Sequence, residues 1–172
     1  YFAHLDQNEF KRENYYSHQW GVLPKTLVKL GKKINFIHYF LGTIKDQKSA
    51  LKWIKKVNQK DKNNTKHSFL NSWLSLTVLW KTILSFFQLS IKIRFLTPFI
   101  HHSLKKKPYS WLWPLLKSDW IESIHGPNAI HNTLLIKLFD LAIYNLPNQK
   151  IGLYLFEGQA WERIFIYFWR KY

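Results

Sequence analysis

The stretch IGLYLFEGQAWERIFIYFWRKY, Ile151 to Tyr172, decides how the fold is read. Ile151–Phe156 is a continuous apolar run, the pattern of a strand covered on both faces. Glu157-Gly158 ends it, because glycine accepts backbone angles that other residues resist. Beyond Gly158, residues Trp161, Ile164, Phe165, Phe168 and Trp169 fall on one helical face. A strand, a tight turn and an amphipathic helix make a βα corner. In α/β proteins such corners hold ligands at the strand C-termini.

Upstream segments extend the same alternation. Leu23-Pro24 opens a helix, since proline suits a first turn, and Gly31 suits its end. Ile34–Phe40 is short, branched and aromatic, and reads as a strand. Asp46–Lys60 reads as a helix with Leu51, Ile54 and Val57 inward, and Lys60–Lys66 as a solvated loop. Trp73, Leu76, Trp80, Ile83, Phe87 and Ile91 recur at three- and four-residue spacing, which predicts one long helix or two, ending before Pro98. Lys105–Pro108 is a loop, Trp111–Ser123 a helix, and His125–Asn128 a turn. Ala129–Leu146 is a helix with Leu134, Leu135, Leu138, Phe139, Leu141 and Ala142 inward. Near the start, Tyr1–Leu5 suits a strand and Asp6–His18 a loop or short helix. The expected fold is therefore α/β, with a helix-rich segment over about 67–146 inside a single partial domain, 1–172.

Composition narrows the partners. Hydrophobic residues make up 47% of the 172 positions and aromatics 18%, enough for a packed core and too many for a disordered chain. Lys and Arg number 26 against 10 Asp and Glu, a formal charge of +16. That charge favours nucleic acid, anionic lipid or phosphorylated substrates. Abundant Lys, Asn, Ile, Phe and Tyr would also follow from AT-rich coding alone. Absence of cysteine excludes disulfides and thiolate zinc sites and agrees with a cytoplasmic location. The chain begins with Tyr, lacks Met and ends inside a predicted helix, so it reads as a piece of a longer protein. Phe69–Ile91 is long enough to cross a bilayer, but Lys81 sits mid-segment. A central lysine costs about 2.5–3.5 kcal/mol on insertion, which favours a buried or interfacial helix.

Two constellations can carry chemistry. Glu157, fixed between a strand end and a helix N-terminus, can act as a general base, or it can simply cap the helix. Around it stand Gln159, Trp161, Glu162 and Arg163, each with an equally plain structural alternative: surface, core, first-turn carboxylate and solvated cation. The second is Ser118–Asn128, where Asp119, Glu122, His125 and Asn128 crowd a Gly-Pro turn. Histidine is the side chain that changes charge near neutrality, and the alternative is a polar helix end. No His spacing suits a metal, and no phosphate loop or GxGxxG motif occurs.

The run LYLFEGQAWERIFIYFWRKY resembles the block of a bacterial surface carbohydrate biosynthesis family described as glycosyltransferases. That block is a strand, a Glu-x-Gln-x-Trp-Glu pattern and an aromatic helix ending in Trp-Arg/Lys. Glu157, Gln159, Trp161, Glu162, Trp169 and Arg170 occupy its places. SHQWGVLPKTLVKLGKKINFIHYF (Ser17–Phe40) and SDWIESIHGPNAIHN (Ser118–Asn132) are similar to further parts of it. The resemblance implies Rossmann-like layers in a two-domain GT-B enzyme, with the donor nucleotide bound in a C-terminal half that this chain does not contain. It implies sugar transfer from a nucleotide sugar to a glycan acceptor. Glu157 would activate the acceptor. Glu162 and His125 would assist, and Gln159, Trp161, Asp119, Asn128 and Arg163 would bind substrate. No metal and no cofactor other than the donor substrate is expected. The corner is also similar to the acidic-acidic-Gly motif of bacterial sialyltransferases, although Phe156 fills the first acidic place. A location at the inner face of the plasma membrane, held peripherally by charge, follows.

Two other readings compete. One is a basic nucleic-acid-binding module, which most aromatics oppose by falling at helix-core spacing. The other is a non-catalytic membrane-associated scaffold, for which Phe69–Ile91 is the telling segment.

Overall fold

The computed structural model describes residues 19–39, 44–60, 64–105 and 110–172. The elements expected at Tyr1–Leu5 and Asp6–His18, and residues 106–108 of the expected loop, lie outside them. The described residues form two compact units, divided between Trp73 and Leu74.

The N-terminal unit begins with helix α1 (Leu23–Lys29), where Pro24 occupies the first turn. Gly31 ends it at φ 71°, a left-handed conformation that lets the Lys32 N–H reach the Leu27 carbonyl at 3.0 Å. Strand β1 (Ile34–His38), helix α2 (Ile44–Lys60) and strand β2 (Thr65–Phe69) follow as one βαβ crossover. The two strands pair in parallel, Phe36 opposite His67 and His38 opposite Phe69. A helical crossover is what a parallel pair requires. Ala50, Trp53, Ile54 and Val57 project from one face of α2 and make the core with Phe69. Leu51, expected inside, is exposed, because Ala50 and Trp53 take the inward positions. Part of the expected loop Lys60–Lys66 belongs to β2. Its polar residues are held by Asn58 of α2, whose side chain donates to the His67 carbonyl at 2.8 Å and accepts the His67 N–H at 2.7 Å. An amide side chain thus stands in for the next strand.

The C-terminal unit is helical: α3 (Leu76–Lys105), α4 (Leu112–His125), α5 (Pro127–Tyr144) and α6 (Ala160–Lys171). Helix α5 is its axis, with α3, α4 and α6 all packed against it. Ala129, Leu135, Leu138, Phe139, Ala142 and Ile143 are its buried apolar residues; expected Leu134 and Leu141 are only half-buried. At the far end of α6, Asp140 of α5 accepts from Lys171 Nζ at 3.0 Å and from the Tyr172 hydroxyl at 2.7 Å.

The Rossmann-like α/β layering and the GT-B arrangement expected from sequence are wrong. Among the described residues there are six helices and one two-stranded sheet. The decisive error is Ile151–Phe156, which forms no strand. A strand needs a partner for its N–H and C=O groups, and none lies alongside. The segment instead lies extended on α6. Gly152 backs onto the rings of Phe165 and Trp169 so closely that an added Cβ would meet them at 3.0–3.1 Å. Tyr154 meets Trp161 and Phe165 edge-on, with ring centroids 6.1 and 5.5 Å apart. Ile151, Leu153 and Phe156 point to solvent.

Helix α3 departs from expectation too. It continues through Pro98, which is exposed, so the backbone bond lost to the missing N–H falls on the helix's outer side. Val78 and Thr82 are its buried residues, whereas Leu76, Trp80, Ile83, Phe87 and Ile91 face outward.

Candidate functional site

The corner before α6 is built by Glu162. Its side chain is 2% exposed, and its Oε1 accepts the backbone N–H of Glu157 at 2.7 Å and of Gln159 at 3.0 Å. The Gln159 N–H is one that the start of a helix leaves without an intrahelical partner, and the Glu157 N–H belongs to the turn before it. A carboxylate in the first turn suits them in charge as well as geometry. The Glu162 N–H in turn donates to the Gln159 carbonyl at 3.2 Å. Gly158, at φ 74°, gives the turn its left-handed step, with nothing within 4 Å of the position a Cβ would take.

This arrangement divides the roles of the two glutamates. Glu162 is buried and holds backbone, whereas Glu157 is exposed at the surface of the turn that Glu162 fixes. Gln159, the N-cap residue, is exposed. Trp161 is half-buried and stacked on Phe139 of α5, with centroids 6.3 Å apart and planes within 8°. Arg163 points outward and, with Ile166, Tyr167, Arg170 and Lys171, lines a shallow groove along α6. Three of those five side chains are cationic.

The second constellation is a helix–helix corner. Gly126 joins α4 to α5, and a Cβ there would meet the Glu122 carbonyl oxygen at 2.7 Å. Asn128 Nδ2 donates to Glu122 Oε1 at 2.9 Å across that corner. The Ser123 hydroxyl donates to the Asp119 carbonyl at 2.6 Å. Asp119 and His125 themselves are exposed. No hydrogen bond or ion pair joins Asp119, His125 or Asn128 to Glu157, Gln159, Glu162 or Arg163 among the described residues.

One polar pair was not legible as such. His38 Nε2 and His67 Nδ1 lie 2.8 Å apart between the strands, each at most 2% exposed, with the rings stacked 5.1 Å apart. Burial holds His38 well below the ordinary histidine pKa, and His67 adds to the effect. The signal lay in the period-two placement of His38 in β1, but His67 sat beside a lysine- and asparagine-rich stretch read as loop. Among the described residues, no group of three His, Cys, Asp or Glu side chains is placed to hold a metal.

Comparison with protein-family models, with curated proteins and with solved structures finds no match to the chain.

Proposed function

We propose that this chain is part of an enzyme that moves a sugar from a nucleotide donor to a glycan acceptor in bacterial surface polysaccharide assembly. The observation that carries the reading is the division between the two carboxylates. Buried Glu162 fixes the turn, and exposed Glu157 is presented by it. The residues doing so are those of the Glu-x-Gln-x-Trp-Glu block.

In this reading Glu157 takes the proton from the acceptor hydroxyl. The freed oxygen then bonds to the anomeric carbon as the nucleoside diphosphate leaves with the electron pair of the broken C–O bond. Glu162 is a positioning residue, and Trp161 sets α6 on α5. Arg163 and Arg170, lining the groove on α6, suit an anionic group of the acceptor. Asp119, His125 and Asn128 would orient the acceptor only if it reaches the α4–α5 corner.

The test is transfer of labelled sugar from nucleotide sugars to bacterial lipid extracts by the whole enzyme of which this chain is part. Glu157→Gln should lower the rate by about 10²–10⁴-fold, the usual contribution of a general base, with an unchanged circular-dichroism spectrum. Transfer at the wild-type rate by that variant would refute the assignment.

A further inference from the structure

Helix α3 is built inside out. Its inward side carries Val78, Thr82, Ser85, Phe86, Ile93 and Thr97, a stripe rich in hydroxyls. Its two threonine hydroxyls are satisfied close to home: Thr82 donates to the Val78 carbonyl and Thr97 to the Ile93 carbonyl, both at 2.8 Å. Thr97 also accepts the Trp120 indole N–H of α4 at 3.3 Å. The outward side carries Leu76, Trp80, Ile83, Leu84, Phe87 and Ile91, with Phe95 beyond them. Leu76 is 85% exposed, Trp80 66%, Phe87 59% and Phe95 80%. A helix in water places these sets the other way round. Small hydroxyl residues between helices and large apolar residues outside are the arrangement of helices that meet lipid.

We infer that α3 lies in the plane of an anionic lipid bilayer surface, with the Leu76–Ile91 stripe in the acyl boundary. Charge supplies the second argument. Thr77, Lys81, Gln88 and Lys92 follow at spacings of four, seven and four, along one flank of the stripe, and all are exposed. Arg94 and Lys105 continue the helix, which has no acidic residue. A polar, cationic flank beside an apolar stripe places lysines among headgroups while the apolar side chains enter the acyl region. Charge placement, not length, opposes a crossing: the 30-residue helix is long and apolar enough to span, but its lysines interrupt the apolar stretch. Between Lys81 and Lys92 the uncharged run is Thr82–Ile91, about 15 Å of helix, against a hydrocarbon thickness of about 30 Å. The inference rests on α3 alone and stands whether or not the chain transfers sugar.

The experiment is flotation of the full chain with phosphatidylcholine vesicles, with and without one-third phosphatidylglycerol. The chain should float with the anionic vesicles and be released by high salt. Bromolipid quenching of tryptophan fluorescence should fall in Trp80→Phe. Phe87→Glu, on an exposed position, should weaken binding at least tenfold with helicity unchanged. Lys81→Gln and Lys92→Gln should each weaken binding to the anionic vesicles about fivefold. Three results would overturn the inference: no flotation with anionic vesicles, retention in salt and carbonate with release only by detergent, or self-association without lipid that Phe87→Glu abolishes. The second would indicate a crossing helix and the third a second copy on the same face.

Discussion

Replacing Glu162 distinguishes a cap from a catalyst. Its carboxylate is almost fully buried, and one oxygen receives two backbone N–H groups at 2.7 and 3.0 Å. Alanine would leave both donors without that acceptor. A hydrogen bond to a charged group contributes about 1.5–3 kcal/mol. Because the two bonds share one oxygen they do not add fully, and about 3 kcal/mol is the expected loss for Glu162→Ala. Glutamine keeps an oxygen that can accept from the same donors but lacks the charge, so Glu162→Gln should cost about 1 kcal/mol. With a urea slope of about 2 kcal/mol/M, the midpoints should fall by about 1.5 M and about 0.5 M. Hydrogen exchange at the Glu157 and Gln159 amides localises the effect. Both should exchange much faster in the alanine variant and only slightly faster in the glutamine variant. If the alanine variant protected both amides as well as wild type does, the cap would be refuted. If Glu162→Gln kept its full stability and lost all transfer, Glu162 would be a reacting group.

Further tests concern the backbone, the histidine pair and the N-terminal core. Gly158→Ala should cost about 1–2 kcal/mol, because φ 74° is strained for alanine even with open space around it; thermal denaturation reads the loss. The folded-state pKa of His38 lies below its unfolded value, so neutral His38 contributes its full stability above about pH 6.5. That contribution is lost as pH falls toward the folded-state value, at about 1.4 kcal/mol per pH unit for one proton. Urea midpoints measured across that range should show the slope, and His38→Phe should flatten it. Trp53→Ala, at a position 1% exposed, should destabilise the N-terminal unit by about 3–5 kcal/mol, seen as loss of protection at the His67 amide.

Helix positions were legible because periodicity survives whatever the helix packs against. Residues at three- and four-spacing along α3 and α5 marked helices correctly. Periodicity does not say which side is inside. For α5 the apolar stripe and the buried stripe coincide, but for α3 the apolar stripe is the exposed one. Ile151–Phe156 shows the matching limit for strands. An apolar run records that side chains avoid water, not that the backbone has a partner, and the α6 aromatics offered cover without a ladder. β2 failed in the opposite sense, since its TKHSF sequence is polar and its place is secured by Asn58 on α2, nine residues before His67. At the candidate corner, the residue types were legible but their roles were not. Sequence offers Glu157 as either base or cap and Glu162 as a first-turn carboxylate, and only the hydrogen bonds reveal that Glu162 holds the turn.

The two proposals for the C-terminal unit constrain one another through α5. Both α3 and α6 pack directly on it, and packed helix axes lie about 8–10 Å apart. The axis of α6 is therefore no more than two such spacings from that of α3, about 16–20 Å. With α3 in the headgroup plane, the corner carrying Glu157 stands within a short reach of the bilayer. A soluble glycan acceptor gains nothing from that placement. An acceptor anchored in lipid gains a great deal, because confinement to the surface raises its local concentration at the corner. Charge acts in the same direction, since the +16 chain and an anionic surface attract before any apolar contact forms. The acceptor class that satisfies both proposals is therefore a lipid-linked glycan whose sugar end lies close to the headgroups. Detached from its lipid, the same glycan should be a much poorer acceptor for the wild-type chain. In Phe87→Glu, which removes the anchoring contact and leaves the corner intact, the two acceptors should become nearly equivalent.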